Sequence, residues 1–478
     1  MDLTLDLRTC EEWISFLDEH QTFTPLVPAP AGSRERGDEI ITGFCDIAGK
    51  TVALFAHNTE VDRGYVSAKG ALKIQRLQER CLELGLPLVG LLSSPGVSIR
   101  EGLVSGNEYA GVLMGHCRLS GVVPQFACLM GANIGGAAYS ATLMDFILFQ
   151  KARSYMCVSG PGVVAQALGE TTTYAHLGGA GMHNEKTGQA HFVDASTESQ
   201  LRRLKWLIRF FPSNFREDPG RRESAEPIAA LPEIPEAPEV AFDMLTLIAG
   251  LTDQSNWVEY AAGFGPSMIT AWSYIGGQPV GIVANQSLFY SGAITAESSQ
   301  KAARFVRLCD AYNIPVLTLI DTPGFMPGVR EEQAGLLRQG GLLCQAMLTK
   351  VPKISVTVRK CYGAAAIVLT QTQNWRGDLA LALPTARTAV MGFESASHLV
   401  YADEIRDLKS DDPATADLLQ ALKNRYRQEY ERPEVAQQHG LVDHVIPLDR
   451  LRSTLIRHLE IQSRKRAPDG DPVRGIFT

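Results

Sequence analysis

The segments "ERCLELGLPLVGLLSSPG" (residues 79–96) and "RLCDAYNIPVLTLIDTPG" (residues 307–324) stand 228 positions apart and share one pattern. Laid on each other, Cys81 meets Cys309, Pro87 meets Pro315, and Pro95-Gly96 meets Pro323-Gly324. The same offset pairs "IAGKTV" (47–52) with "IGGQPV" (275–280). It also pairs "VPQFACLMGANIGGAAYS" (123–140) with "VPKISVTVRKCYGAAAIV" (351–368). A constant offset through separated segments marks a tandem duplication of one domain.

Each copy reads as a β-hairpin, a helix, and a buried strand. "RLQERCLEL" (76–84) has helical spacing, a Gly or Asn stop follows, and "PLVGLL" or "PVLTLI" is the strand. A second short strand, "PQFACLM" or "PKISVTV", runs into a Gly/Ala-rich turn that opens another helix. Strands alternating with helices predict an α/β layered domain, present twice. The expected division is a helical segment over 1–36, one domain over 37–211, a linker over 212–240, the second domain over 241–466, and a tail over 467–478. Thr9 and Glu12 form a capping-box signature for the first helix. Six prolines between 212 and 238 read as an extended, partly exposed linker.

The composition, with 45% hydrophobic and 20% charged residues in 478, is that of a soluble globular chain. A net charge of −7 gives no electrostatic case for nucleic acid or an anionic membrane. The cluster "SRKR" (463–466) reads as a solvated helix end. Nine scattered cysteines without a C-x-x-C pair argue against a zinc ribbon and for reduced, buried thiols. No metal site is expected. The N-terminus lacks an apolar signal-peptide core, and the uncharged run between Arg118 and Asp145 is too rich in Gly and polar residues for a spanning helix. A cytoplasmic chain is the expectation.

"DTPG" (321–324) is also how the magnesium turn of many GTPases is spelled, but no G-x-x-x-x-G-K-[ST] phosphate loop occurs. Ser93 occupies the duplicate position, so Asp321 reads as the cap of a strand-ending turn that binds no nucleotide. The turns "IGGAAYS" (134–140) and "YGAAAIV" (362–368) carry more chemistry. There a buried strand ends in residues with almost no side chain and a helix begins. Unpaired N–H groups then converge at a helix N-terminus, an arrangement that holds an oxyanion such as a thioester enolate. Close helix–strand packing by small residues is the alternative. The ten histidines show no H-E-x-x-H, no Ser sits in G-x-S-x-G, and His57 and His183 read as polar loop histidines.

With these residues in view, the chain resembles the carboxyltransferase (β) subunit of biotin-dependent acyl-CoA carboxylases, two crotonase-like domains in tandem. The resemblance runs from about Gly37 to His458. It is most specific in "SGPGVV" (159–164), "HLGGA" (176–180), "VGIVANQ" (280–286), 301–328, "PTARTAVMG" (384–392) and "GLVDHVI" (440–446). It implies carboxyl transfer from N1′-carboxybiotin to the α-carbon of an acyl-CoA through a thioester enolate, with biotin as the base. By match, the amides of Gly135 and Gly136 hold the thioester oxygen, and those of Ala364 and Ala365 hold the ureido oxygen of biotin. Ala137, Ala366, Ile367, Tyr65, Arg63 and Gly96 fall at substrate-contacting positions. The implied site lies between one subunit and its partner in a hexameric ring of dimers. No A-M-K-M motif and no ATP-binding domain are present. Biotin is therefore expected on a separate carrier, with a biotin carboxylase as partner and coenzyme A as part of the substrate.

The chain departs from the family pattern in places. Tyr362-Gly363-Ala364-Ala365-Ala366 stands for Y-G-G-A-Y, Ser93–Gly102 for D-S-G-G-A-R-I-Q-E-G, and Arg63-Gly64-Tyr65 for a Gly-Gly-Ser loop. These changes admit an acetyl-, propionyl- or unusual acyl thioester, including one from specialised metabolism. Two alternatives remain open: a decarboxylase running the reverse reaction, and a non-catalytic partner in a mixed ring.

Overall fold

The computed structural model describes residues 7–26, 38–370, 377–406, 413–463, 465 and 476. The expected tail over 467–478 lies outside the described residues, Ile476 apart. Two eight-stranded sheets carry the chain. The first holds β1 (Thr24–Pro25), β2 (Ile40–Ile47), β3 (Lys50–His57), β4 (Leu88–Ser94), β5 (Gln125–Ile134), β6 (Phe146–Gln150), β7 (Tyr155–Cys157) and β8 (Phe192–Asp194). The second holds β9 (Trp257–Glu259), β10 (Met268–Ile275), β11 (Gln278–Asn285), β12 (Val316–Thr322), β13 (Lys353–Tyr362), β14 (Leu379–Ala382), β15 (Arg387–Ala389) and β16 (His444–Val445). The sheet orders are β1-β2-β3-β4-β5-β6-β8, with β7 on β5, and β9-β10-β11-β12-β13-β14-β16, with β15 on β13. They are one topology used twice. Four consecutive strands, β2 to β5, map onto β10 to β13 at the constant 228-residue offset.

Local chemistry explains why both copies fold alike. The hairpins turn on Ala48-Gly49 (φ 54° and 83°) and Gly276-Gly277 (φ 59° and 74°), left-handed pairs that match the twist of the flanking strands. The helices after them, Ala68–Leu84 and Ala296–Ala311, start on Ser67 and Thr295, whose side chains accept from Gly70 and Ser298 N–H. The chain then leaves through Gly85 and Asn313, at φ 65° and 58°.

The second short strand of each copy is in fact ten residues long, because a bulge lengthens it. Opposite Ser93 of β4 stand three residues of β5, since the register passes from Leu92↔Leu129 to Ser94↔Asn133. Opposite Asp321 of β12 stand three residues of β13, between Ile320↔Thr357 and Thr322↔Cys361. Such a bulge bends the strand and re-aims the chain beyond it.

The capping box forms: Thr9 N–H donates to the Glu12 carboxylate at 2.9 Å, and Thr9 Oγ1 accepts from Glu12 N–H. The helix Cys10–Leu17 buries Trp13, Ile14 and Leu17 in the main core. That core crosses from one copy to the other. Phe211 packs on Trp272 at 5.1 Å and on Tyr312 at 5.7 Å between ring centroids. No helix or strand occurs between Ser213 and Phe242. Lys465, within the basic cluster, is tied to Asp378 at 2.8 Å rather than simply solvated. Among the cysteines, Cys117 is exposed and Cys157 and Cys344 are half-buried, so burial is not uniform as expected. Among the described residues no helix is long and apolar enough to cross a membrane, and the uncharged run before Asp145 forms β5 and the turn behind it.

Candidate active site: two amide turns

At the C-terminal ends of β5 and β13 the chain turns sharply into a short helix, Gly136–Thr142 in the first copy and Gly363–Leu369 in the second. Gly135 and Gly363 take the turn at φ 58° and 63°, where a Cβ would be strained. Open crevices at the carboxyl ends of parallel strands are where α/β folds place their chemistry.

The hydrogen bonds correct one expectation. The Gly135 N–H donates to Cys157 O at 3.1 Å, so it is part of the β5–β7 pairing and is not available as an oxyanion donor. The first intrahelical bond runs from Tyr139 N–H to Gly135 O. The amides of Gly136 and Ala137 therefore fall among the orphan donors of a helix start, and no acceptor for either is found among the described residues. In the second copy the same offset gives Ala364 and Ala365, whose amides also lack an acceptor among the described residues. The matched pairs are thus Gly136–Ala137 and Ala364–Ala365. Ala137 and Ala365 are buried, Gly136 is half-buried and Ala364 is exposed.

Both turns are framed alike. Val158 O lies 3.7 Å from where a Cβ on Gly135 would stand, and Val390 O lies 3.6 Å from that of Gly363. The side chains of Val158 and Val390 are 66% and 82% exposed, which leaves an uncovered apolar rim at each turn. Ile367 (62% exposed) and the half-buried Ala366 flank Ala364 and Ala365.

Beneath each turn runs the Pro-Gly loop. Gly96 is buried and both of its backbone groups are engaged: its N–H donates to Ser94 Oγ at 3.1 Å, and its carbonyl accepts from Val66 N–H at 3.0 Å. Gly96 thus supports the first turn from below and does not offer its backbone to a substrate. Thr322 Oγ1 repeats the bond with Gly324 N–H, so the cap of "DTPG" is Thr322 and not Asp321.

Asp321 has a different role. Fully buried, it accepts from Arg359 Nη2 at 2.7 Å and from Lys360 N–H at 3.3 Å, with Lys360 Nζ at 3.2 Å. It therefore fills the β13 bulge. Arg359 and Lys360 continue to Val240 O and Pro238 O, strapping the end of the irregular stretch to the strand that leads into the second turn. In the first copy the equivalent positions are Ser93, Gly131 and Ala132, and Asn133 Nδ2 holds the bulge by donating to Leu92 O and Gly131 O.

The loop carrying Arg63 and Tyr65 sits over the same strand ends: a Cβ on Gly64 would lie 2.5 Å from Ser93 O. Asp62 and Arg63 hold φ 43° and 57°, and Tyr290 and Ser291 repeat this at 50° and 53°. Left-handed pairs of non-glycine residues at one place in both copies store strain at the candidate site. Arg63 is exposed and Tyr65 half-buried.

His57 and His183 are not loop histidines. His57 ends β3, fully buried, and its Nδ1 accepts from Ser93 N–H at 3.2 Å. Burial pushes its pKa down to about 4. His183 is buried against Met156 O at 2.7 Å. Both are neutral structural groups.

Sequence reasoning missed Tyr362 and Glu431. The Tyr362 hydroxyl donates to Glu431 Oε1 at 3.1 Å directly before the second turn. Nothing local in the sequence joins residues so far apart.

The carboxyl transferase domain model matches residues 14–476. The chain is 35% identical to the propionyl-CoA carboxylase beta chain of Saccharopolyspora erythraea, over 98% of this chain and 87% of that protein. It is 33% identical to the methylmalonyl-CoA decarboxylase subunit alpha of Veillonella parvula, over 90% and 83%. Among solved structures it superposes on transcarboxylase 12S, described as a hexamer with methylmalonyl-coenzyme A bound, with a TM-score of 0.88, 31% identity, and 98% and 92% coverage. The doubled fold that carries the two amide turns is thus shared along almost its whole length, and the chain belongs to the carboxyl transferase family as a biotin-dependent carboxyltransferase of the propionyl-CoA carboxylase type.

Proposed function

We propose that this chain moves a carboxyl group to the α-carbon of an acyl-CoA, with the two amide turns as its oxyanion holes. Gly136 and Ala137 N–H hold the thioester oxygen as enolate charge develops on it. Ala364 and Ala365 N–H hold the ureido oxygen of biotin. When bound, carboxybiotin supplies the carboxyl group and the base. Preorganised backbone donors need no reorganisation as charge appears, and each contributes about 3 kcal/mol to the barrier reduction. The observation that carries this reading is the pair of amide couples at matched places in both copies that find no acceptor among the described residues. The residues fit a planar ureido ring at the second turn: Ala364 is exposed and offers only a methyl group beside its N–H.

Ile367, apolar and exposed beside that turn, supports an acetyl- or propionyl-sized chain and leaves room for a larger thioester. The uncovered rims at Val158 and Val390 support a site completed by a second copy of the chain in a ring of dimers. The partners we infer are a biotin carboxylase and a separate biotin carrier, in the cytoplasm. The same amides serve the reverse direction, and the likeness to a methylmalonyl-CoA decarboxylase subunit supports decarboxylation as the second reading.

The test is incubation of the purified chain with a biotin carboxylase, a biotinylated carrier, ATP, labelled bicarbonate and a panel of acyl-CoAs. Acid-stable label in an acyl-CoA product is expected. Release of CO2 from malonyl- or methylmalonyl-CoA without net fixation selects the decarboxylase. No turnover with any thioester, together with assembly into a mixed ring, sinks the catalytic reading.

A further inference from the structure

The two copies share their hairpins, caps, bulges and turns, so a feature present in only one of them calls for its own explanation. At the last residue of β13 stands Tyr362, and its counterpart in the first copy is Ile134, which has no polar side chain. The Tyr362 hydroxyl donates to Glu431, and both residues are buried, at 9% and 4% exposure. Glu431 closes a π-helical turn, Arg427–Glu431, at the end of the helix Pro413–Tyr426. A π-turn, His183–Thr187, also stands between β7 and β8 of the first copy, so what sets the second copy apart is the Tyr362–Glu431 bond itself. The Arg427–Glu431 turn belongs to a helical insertion between β15 and β16 with a small core of its own: Phe393, Ala396, Tyr401, Leu422 and Tyr426. Tyr426 donates to Met391 O at 2.7 Å, and Gly392 lies against the ring of Tyr362. The Tyr362 ring is therefore held from the insertion side at the point where the backbone swings into Gly363 and the amides of Ala364 and Ala365.

We propose that Glu431 is a positioning residue for the second amide turn. Its hydrogen bond to Tyr362 fixes the end of β13, and so the direction of the Ala364 and Ala365 N–H groups, and makes that direction depend on the docked helical insertion. The inference rests on the reading of those two amides as donors. The charged groups acting on Glu431 are Arg387 on β15, Glu394 on the helix Phe393–Val400 and Arg427 on its own π-turn, besides Tyr362 itself. Burial pushes the Glu431 carboxyl above the ordinary glutamate range. The tether is at full strength once that carboxyl is ionised and weakens as pH falls through its raised pKa.

The experiment uses the full chain carrying E431L, E431Q, Y362F or E431L/Y362F. Hydrogen exchange is followed by mass spectrometry across Gly363–Leu369, and kcat and KM for acyl-CoA are measured with carrier-bound carboxybiotin. In E431L and Y362F, exchange over Gly363–Leu369 is expected to rise about 10-fold while the helix Ala296–Ala311 stays protected. Misaimed donors lower kcat about 10-fold, with KM for acyl-CoA within about 2-fold because the thioester sits at the other turn. The double variant falls no further than either single variant. E431Q keeps a neutral acceptor, stays within about 3-fold of the parent in kcat, and loses the acid limb of the kcat–pH profile. Unchanged exchange in both E431L and Y362F overturns the proposal, as do additive losses in the double variant or a KM that rises about as far as kcat falls. Should the parent chain transfer no carboxyl group, the exchange comparison still decides the tether, and only the catalytic reading fails.

Discussion

At Gly136 the choice of residue is set by what stands across from it. A Cβ there would lie 2.9 Å from the ring of Tyr109, which is 3% exposed and enclosed by the core, so the ring has nowhere to go. At Gly135 the nearest atom would be 3.7 Å away, so an added methyl group meets no neighbour, only the strain of a φ 58°, ψ −121° backbone that glycine alone adopts readily, about 1–3 kcal/mol. G135A is therefore expected to lower stability modestly while retaining most activity, whereas G136A displaces the donor turn and costs about 10-fold or more in kcat. Equal kcat losses in the two variants, with similar melting temperatures, count against the assignment. The second turn allows a cleaner deletion. Ala364 is the first residue after the left-handed Gly363, a position where proline's fixed φ is well tolerated and its missing N–H removes one donor. A364P is expected to melt within about 2 °C of the parent and to lose about 100-fold in kcat. Wild-type turnover in A364P ends the oxyanion-hole reading of this turn. At this scale the two turns were legible as turns, and the choice of amides within them was not. The Gly-Gly pair drew attention to Gly135, whereas the 228-residue offset places Ala364–Ala365 on Gly136–Ala137. What the letters do not show is that the Gly135 N–H is consumed by Cys157 O.

Between residue and fold stands the bulged strand, which solves one geometric problem with two chemistries. The first copy holds its bulge with neutral groups around Asn133, and the second holds it with Asp321 between two buried cations. Removing the charge of Asp321 leaves Arg359 and Lys360 desolvated and unneutralised, a loss of about 3–5 kcal/mol when one partner of a buried pair is deleted. D321N is thus expected to be among the most destabilising single substitutions in the second copy and to loosen the attachment of Val240 and Pro238. Urea unfolding at neutral pH measures it; a change below about 1 kcal/mol would falsify the ion cluster as a stabilising element. None of this was visible in "DTPG". Asp321 meets its partners 38 and 39 positions later because β12 and β13 are neighbours, and the bulge that brings Lys360 N–H to the carboxylate has no sequence signature. The turn chemistry, by contrast, was local, and Ser94 and Thr322 show it in both copies.

For the whole molecule, duplication made the fold readable: four strands, two caps and two helix stops fall at one offset. The contact between the copies was not readable, because it joins side chains that no pattern pairs. Part of that contact is polar. Tyr312 donates to Asp145 at 2.6 Å, and Arg304 donates to Met144 O and Asp145 O, all across the boundary between the two sheets. Burial raises the Asp145 carboxyl to about 6, and burial lowers His57 and His116 to about 4. The signs oppose. Each histidine stays neutral in the folded chain at pH values where the unfolded chain, near 6.5, has already taken a proton. Their stabilisation is complete above about 6.5 and is lost as pH falls toward 4, by about 3 kcal/mol each at most. Asp145 holds its proton in the folded state where the unfolded carboxyl, near 3.8, has released it. Its contribution is present at low pH and lost as pH rises through 6. Between pH 6.5 and 4 the losses from His57 and His116, joined by the fully buried His191 whose pKa burial holds well below its ordinary value, outweigh the gain from Asp145, so the melting temperature falls. His116→Gln keeps a donor for Gln125 Oε1, which His116 Nδ1 meets at 2.8 Å, and removes one titrating ring. H116Q is expected to flatten the acid limb. D145N removes the compensating gain, so its melting temperature falls more steeply than the parent's below pH 6. Thermal melts of the three proteins at half-unit steps from pH 7.5 to 5 decide it. An acid limb in H116Q as steep as the parent's, or a D145N profile parallel to it, means that these buried groups do not set the pH range in which the two copies stay folded together.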